Sequence, residues 1–517
     1  MVEHKPSVGD HYARRFFKEG AIVFAALAAS AVTAFFFRII LARNLGPTDY
    51  GLFYYVLAFV LIVGTVRDFG IGQAVVRYIP EFMHKKQHGK LKSSIVFYAV
   101  VQIAYSTVLA LVLVVFADQI AASFIEAQAA AWILRMLAGW FLFEAIFTVF
   151  KTVFQGFREM TPFSVLGFLE VFLPFVFFIF VMILLGSSAA NVALAYMIGL
   201  AVTSVIALGI FFKKHSEILK TKTEISKPLV KDMFKFSIPI VIGGIMGAIF
   251  GQMNTLFIGK IRTPAEAGLY QVAYPISDLL AYFPMAIGIV LFPMASELWA
   301  KREHGLLGQA MTTLMKFSFI AIVPLALIMI AFPNIVISLI FGQEYVAAST
   351  ALQILVISMV IGAVLVVPKR ALLGMGQSRI HTIILSLRGF LAFSLSLLFI
   401  PIYGIEGAAV ATLFSTLVAL SLSVYFARKF VKTKFPFLAI GKTIIGSLII
   451  LLLVVVLKAA IDLHPLLEFF VVMAPCLFFY VVWVLFSRTL ELSDLQLLKK
   501  TVPVPKLLIN ILKKFVR

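Results

Sequence analysis

From about residue 19 to residue 487 the chain is a succession of apolar runs, each some 20 residues or longer, parted by short polar stretches. Nothing else in the sequence limits the fold so strongly. A helix of ~20 apolar residues rises about 30 Å, the thickness of the bilayer hydrocarbon. Inside hydrocarbon every backbone N–H and C=O needs an internal partner, which leaves helices or closed barrels, and runs of this length are too long for barrel strands. The runs fall at roughly 19–43, 49–69, 92–117, 131–155, 162–186, 189–212, 236–258, 266–293, 310–341, 347–371, 379–402, 405–428, 440–461 and 466–487. The expected fold is therefore all-α: a polytopic integral membrane protein of about fourteen transmembrane helices. With 62% hydrophobic residues and a mean hydropathy of +1.05, too little polar surface remains to cover a soluble core.

The net charge of +20 could suggest nucleic acid, but the charges sit at the ends of apolar runs, where they orient helices in the membrane. With the N-terminus inside, the cytoplasmic segments carry 36 Lys and Arg and the external loops 4, namely Arg43, Lys260, Arg262 and Lys458. This asymmetry predicts a multi-pass protein of the plasma membrane with both termini cytoplasmic and no nucleic-acid partner. The first apolar run is too long for a signal-peptide core and reads as a retained helix. The single cysteine, Cys476, excludes a disulfide framework and any cysteine-based metal site. No zinc-protease, nucleophile-elbow, phosphate-loop or dinucleotide motif is present, and no loop could house a soluble catalytic domain. The expectation is a non-enzyme without cofactor or metal.

The chain also repeats itself. Arg43–Phe53 is echoed by Lys260–Tyr270: Pro47 matches Pro264, Asp49 Glu266, Gly51 Gly268 and Leu52 Leu269. Glu81 and Gly89 match Glu297 and Gly305 at an offset of 216, and Gly156, Gly186 and Val192 match Gly374, Gly404 and Val410 at 218. The match runs over helices 1–6 against 7–12. Six is even, so both halves enter from one side, as a parallel repeat. The expected organisation is an N-terminal six-helix bundle (1–218), a C-terminal one (219–435), helices 13 and 14 (436–490) outside the repeat, and an amphipathic cytoplasmic tail (491–517) suited to anionic lipid. Small residues four apart, Ala26, Ser30 and Ala34 against Gly243, Gly247 and Gly251, suit close helix packing. Prolines near helix ends, among them Pro239, Pro275, Pro284, Pro324 and Pro368, suit ordinary packing or bending during a cycle.

Ionisable groups at depth each cost ~2.5–3.5 kcal/mol if they face lipid, so they should face a cavity or a partner. The candidates for substrate binding are Arg38, Arg67, Lys151, Glu170, Lys369, Arg370 and Arg388; Glu144, Glu170 and Asp278 are candidates for cation coupling. The repeat pairs Lys151 with Lys369 and Glu170 with Arg388. Lining a cleft, such arginines and lysines would take an anion, with phosphate or pyrophosphate foremost. The plainer alternatives are snorkelling for Arg67, Arg135 and Arg38, helix-end charge for Lys151, Lys369 and Arg370, and a structural Glu170–Arg388 ion pair. His381 reads as structural.

Several motifs carry a family resemblance: Leu45-Gly46-Pro47-x-x-Tyr50-Gly51-Leu52, Gly72-x-x-x-Val76-Arg77-x-x-Pro80-Glu81, Ser237-Ile238-Pro239, Gly268-Leu269-Tyr270 and Gly404-Ile405-x-Gly407-Ala408-Ala409. In them and their order the chain resembles the polysaccharide transporter, or polysaccharide biosynthesis, family. That family belongs to the superfamily of multidrug, oligosaccharidyl-lipid and polysaccharide exporters. The resemblance implies two six-helix bundles in a V around a cavity that opens alternately to either side. It also implies flipping of polyprenyl-diphosphate-linked oligosaccharides, with membrane lipids and the glycosyltransferases or polymerase of a polysaccharide pathway as partners. Two alternatives stand beside it: a cation-coupled exporter of small amphipathic compounds, and a non-transporting scaffold of a polysaccharide-assembly complex.

Overall fold

A computed structural model describes residues 8–65, 70–224, 227–460, 465–487 and 489. In order its helices are α1 (Val8–Gly64), α2 (Ile71–His84), α3 (His88–Val115), α4 (Ala117–Ile120), α5 (Ala130–Gly156), α6 (Met160–Leu185), α7 (Ala189–Lys220), α8 (Lys227–Ile261), α9 (Pro264–Asp278), α10 (Tyr282–Ala300), α11 (His304–Ala331), α12 (Pro333–Ile340), α13 (Ser349–Gly374), α14 (Ser378–Phe430), α15 (Phe437–Ala460) and α16 (Pro465–Phe486). No strand occurs among the described residues. Eleven helical runs among them are long and apolar enough to cross a bilayer.

Two of the eleven are hairpins. α1 breaks at Gly46, whose φ of 70° lies in the left-handed region that Pro47 then cannot continue as helix. Phe37 and Phe53 both lie against the ring of Tyr196, although a straight helix would hold residues 16 apart about 24 Å from one another. α14 breaks in the same way at Gly404, φ 57°, and a Cβ at Gly407 would overlap the carbonyl of Phe399 across the turn. The expectation of fourteen spans counts the hairpin arms separately and includes α8, which is not among the eleven.

The chain divides into two compact units, Met1–Gly268 and Leu269–Arg517. The repeat boundary at 218 thus differs from the packing boundary at 268. The reason is α8, which packs on the first unit: Arg77 lies over the Phe236 ring at 4.7 Å, and Lys260 pairs with Glu126 at 2.7 Å. The echoed motifs meet inside this unit. A Cβ at Gly51 would collide with the Pro264 carbonyl oxygen, and a Cβ at Gly268 with that of Pro47. Each copy therefore seats its glycine on the proline carbonyl of the other. The small-residue expectation for α8 is not met, since a Cβ at Gly247 or Gly251 would touch nothing within 4 Å; Ser30 does reach a neighbour, the Gly167 carbonyl at 3.5 Å.

Local geometry repeats with the sequence. Glu81 pairs with Lys85 at 2.6 Å, and Glu297 with Lys301 at 2.5 Å. Both helices end on a left-handed residue, Lys86 (φ 55°) and Arg302 (φ 59°). Gly156 packs on Ile79, and Gly374 on Ala295, the residue 216 beyond Ile79. In the second unit α15 and α16 share one core with α10, α11, α13 and α14, through Ile450, Val454, Val472, Met473 and Tyr480. Tyr480 donates to the Ile320 carbonyl at 2.8 Å, the kind of polar contact that ties helices together in apolar surroundings. The amphipathic tail lies outside the described residues.

Candidate functional site

In the first unit, α5 and α6 are joined by a three-residue elbow, 157–159. Lys151 stands five residues before the elbow's leading glycine, Gly156, and Glu170 ten residues after Met160. Helix reversal brings the two side chains face to face, and they pair at 2.5 Å with about a quarter to a third of each exposed. The Lys151 ammonium also lies 5.0 Å from the Phe147 ring centroid. Glu170 is thus partnered within its own unit, by the lysine that the repeat aligns with Lys369.

The second unit builds the same elbow, 375–377, between α13 and α14. Lys369 stands five residues before Gly374, and Arg388 ten after Ser378. An arginine therefore occupies the place that Glu170 fills in the first unit. Between the arms lies a narrow cleft of about 10 Å³. Lys369, His381, Ile384, Leu385, Arg388 and Ser423 are among its lining residues. The charged neighbours of Lys369 are Arg388 and Arg370, both cations. His381 Nε2 is buried without a hydrogen-bond partner among the described residues. Among the described residues no carboxylate lines the cleft. Burying like charges together in low dielectric is costly unless an anion joins them. Arg370 is outside the lining: its side chain lies against Gly288 of α10.

The remaining candidates scatter. The Arg38 guanidinium sits 4.8 Å from the Tyr54 ring centroid, with Tyr50 and Tyr196 beside it, inside a buried aromatic cluster that includes Phe37 and Phe53. Glu144 is 7% exposed and accepts from Thr148 Oγ1 at 3.0 Å. On α3, which packs on α5, Gln102 and Ser106 are buried with side-chain atoms that find no partner among the described residues. Asp278 closes α9, where the chain tightens into a 3₁₀ turn, Leu279–Ala281, between Pro275 and Pro284. Arg135 pairs with Asp118 at 2.7 Å near the surface. Arg67 and Asp68 lie outside the described residues. His381, read from the sequence as structural, lines the cleft. Its spacing of seven residues from Arg388 places both on one helix face, a signal readable in the sequence. The tyrosines around Arg38 carried no such signal, because Tyr196 is distant in the chain.

A family profile described as polysaccharide biosynthesis protein matches residues 16–299, and one described as MatE matches residues 239–400. An uncharacterised membrane protein of Methanocaldococcus jannaschii is 29% identical over 421 residues, 78% of this chain and 82% of the relative. A probable low-salt glycan biosynthesis flippase of Haloferax volcanii, Agl15, is 25% identical over 437 residues, 83% of this chain and 87% of the relative. Among solved structures, the lipid II flippase MurJ in an inward closed conformation superposes with a TM-score of 0.70 at 14% identity. The match covers 90% of this chain and 99% of that one, a likeness of fold.

Proposed function

The chain belongs to the polysaccharide biosynthesis protein family, and from that premise we propose that it is a flippase for lipid-linked oligosaccharides. The glycan and its pyrophosphate would cross by alternating access through a cationic cavity, with the lipid tail left in the bilayer. The observation that carries the reading is the pair of cations Lys369 and Arg388, whose cleft has no carboxylate in its lining among the described residues. The names of the flippase relatives support it. Arg38 of the first unit adds a second cation at depth. On this reading both termini lie on the cytoplasmic side, as the charge asymmetry of the loops expects, where the glycosyltransferases that build such substrates would work.

The test is transport in proteoliposomes. A lipid-linked oligosaccharide loaded in one leaflet should become accessible to a sugar-modifying enzyme outside at a rate set by the protein. No rise above empty liposomes would overturn the reading. A second reading, cation-coupled export of small amphipathic compounds, is favoured by the MatE match and by Glu144, buried on α5, which packs on α3, where Gln102 and Ser106 are buried without partners among the described residues. It requires ion-dependent drug efflux that Glu144→Gln abolishes.

A further inference from the structure

α7 leaves helical geometry at His215 (φ −129°, ψ 21°), although neither proline nor glycine stands between Phe211 and Leu219 to bend it. At that point the helix meets the α5–α6 elbow. The imidazole lies flat on Phe157, with ring centroids 4.2 Å apart and planes 14° from parallel. Phe211 and Phe154 flank it at 5.7 and 6.3 Å. Its Nε2 stands 3.3 Å from Glu159 Oε1, yet outside hydrogen-bonding geometry. Lys214 Nζ holds the other carboxylate oxygen at 2.9 Å. Beyond the bend runs the connection between the two repeats, and it is tied to α3. Lys92 Nζ donates to the Thr221 carbonyl at 2.8 Å and Glu224 N–H to Ser93 Oγ at 2.7 Å, before α8 starts at Lys227. The second unit ties the chain after α14 to α11 in the same way, through Lys434 N–H to Thr312 Oγ1 at 3.2 Å. There, at an offset of 218, Gln377 and Thr433 replace Glu159 and His215, and neither titrates.

We infer that His215 is a proton-operated clasp on the connection between the repeats: as a neutral ring it holds the bend of α7 against the elbow, and as an imidazolium it lets go. The inference goes beyond the flippase reading and holds whatever the chain carries. A neutral imidazole suits this seat, since its face packs on Phe157 and its side chain is only 15% exposed. A proton reverses this. The imidazolium has a charge to solvate and two N–H donors to satisfy, and three phenylalanines offer neither. The face of Phe157 attracts a cation, but weakly beside the loss of water. Glu159 draws the proton in, yet Lys214 already neutralises that carboxylate and, one residue from His215, repels a second positive charge. Those two are the charged groups acting on the ring among the described residues. Water is close at hand, because Lys214 beside the ring is 44% exposed. Histidine titrates across the pH range of a cell interior, and the charge asymmetry expects this end of the helices inside. Acid should therefore free the connection, and alkaline conditions should hold it.

The experiment is hydrogen–deuterium exchange on the full-length protein in nanodiscs, read by mass spectrometry at about pH 8 and about pH 5.5 with intrinsic rates corrected. Peptides covering 214–224 report the clasp, and peptides covering 431–436 report its non-titrating counterpart. In the wild type, exchange over 214–224 is expected to rise at least ~10-fold on acidification, with 431–436 unchanged within ~2-fold. His215→Phe keeps the stack and cannot take a proton, so its segment should stay protected at both pH values. His84 and His88, exposed at the α3 end of the segment, also titrate, and this variant leaves them in place. Glu159→Gln removes the attracting charge, so release should move to lower pH. Melting temperatures verify that both variants fold. A wild-type segment that exchanges alike at both pH values, or is better protected in acid, overturns the clasp. A folded His215→Phe that keeps the wild-type pH dependence also overturns it, as does a release that moves to higher pH in Glu159→Gln.

Discussion

The first unit's elbow holds Lys151 and Glu170 at 2.5 Å; the second unit's elbow holds Lys369 and Arg388 at the same register around a cleft. One frame therefore carries two charge patterns, and a single position, glutamate in one copy and arginine in the other, separates an ion pair from a cleft lined by two cations. Duplicated folds can keep their packing and divide their labour by such a change. The part that diverges is the part that packing does not need.

The largest effect should come from making the copies alike. Arg388→Glu is expected to lower the rate of lipid-linked sugar flipping by ~100-fold or more, since charge-assisted contacts are worth about 1.5–3 kcal/mol each and the new carboxylate repels phosphate; proteoliposome transport measures it. Breaking the closed copy should cost stability rather than transport. Glu170→Leu leaves Lys151 partly buried without its partner and is expected to destabilise the protein by about 1–3 kcal/mol, read as a lower melting temperature. Replacing both with Met should recover most of that loss, because a partly buried pair with well-packed substitutes is close to neutral.

A smaller contrast tests the shared frame. A Cβ at Gly374 would stand 2.7 Å from the Phe292 carbonyl oxygen, which is backbone, whereas one at Gly156 would stand 2.6 Å from the tip of Ile79, which can turn aside. Gly374→Ala should therefore destabilise by about 1–2 kcal/mol and Gly156→Ala by less than about 1 kcal/mol, in paired thermal melts. The smallest effect belongs to Arg370→Gln. The side chain lies on Gly288, outside the cleft, so the affinity for pyrophosphate should change less than ~3-fold.

Much of this was legible in the residues. Run length and charge asymmetry point to a multi-pass helical protein, because hydrocarbon leaves the backbone no other option. The offsets of 216 and 218 align Lys151 with Lys369 and Glu170 with Arg388, and the structure repeats the elbows at that register. The partner of Glu170 was not legible. It depends on a three-residue elbow that turns two helices face to face, and residues 19 apart carry no periodic signature of that contact. Equivalence in a repeat says which positions correspond, not which touch. For the same reason the tyrosines around Arg38 escaped notice, since α1 and α7 bring them together only after folding. The break at Leu279–Ala281 inside a long apolar run was also hidden, because hydropathy does not register a tightened turn. The allegiance of α8 to the first unit follows from side-chain contacts across the repeat boundary, which no composition shift marks.

The reciprocal seat of Gly51 on the Pro264 carbonyl and of Gly268 on that of Pro47 has a consequence for how such a chain can change over generations. In most duplications one copy is free to drift while the other keeps the job. Here neither motif can admit a side chain without displacing the backbone of its twin. The two strings must stay small together, which holds them recognisable as copies long after the charges deeper in the helices have parted company.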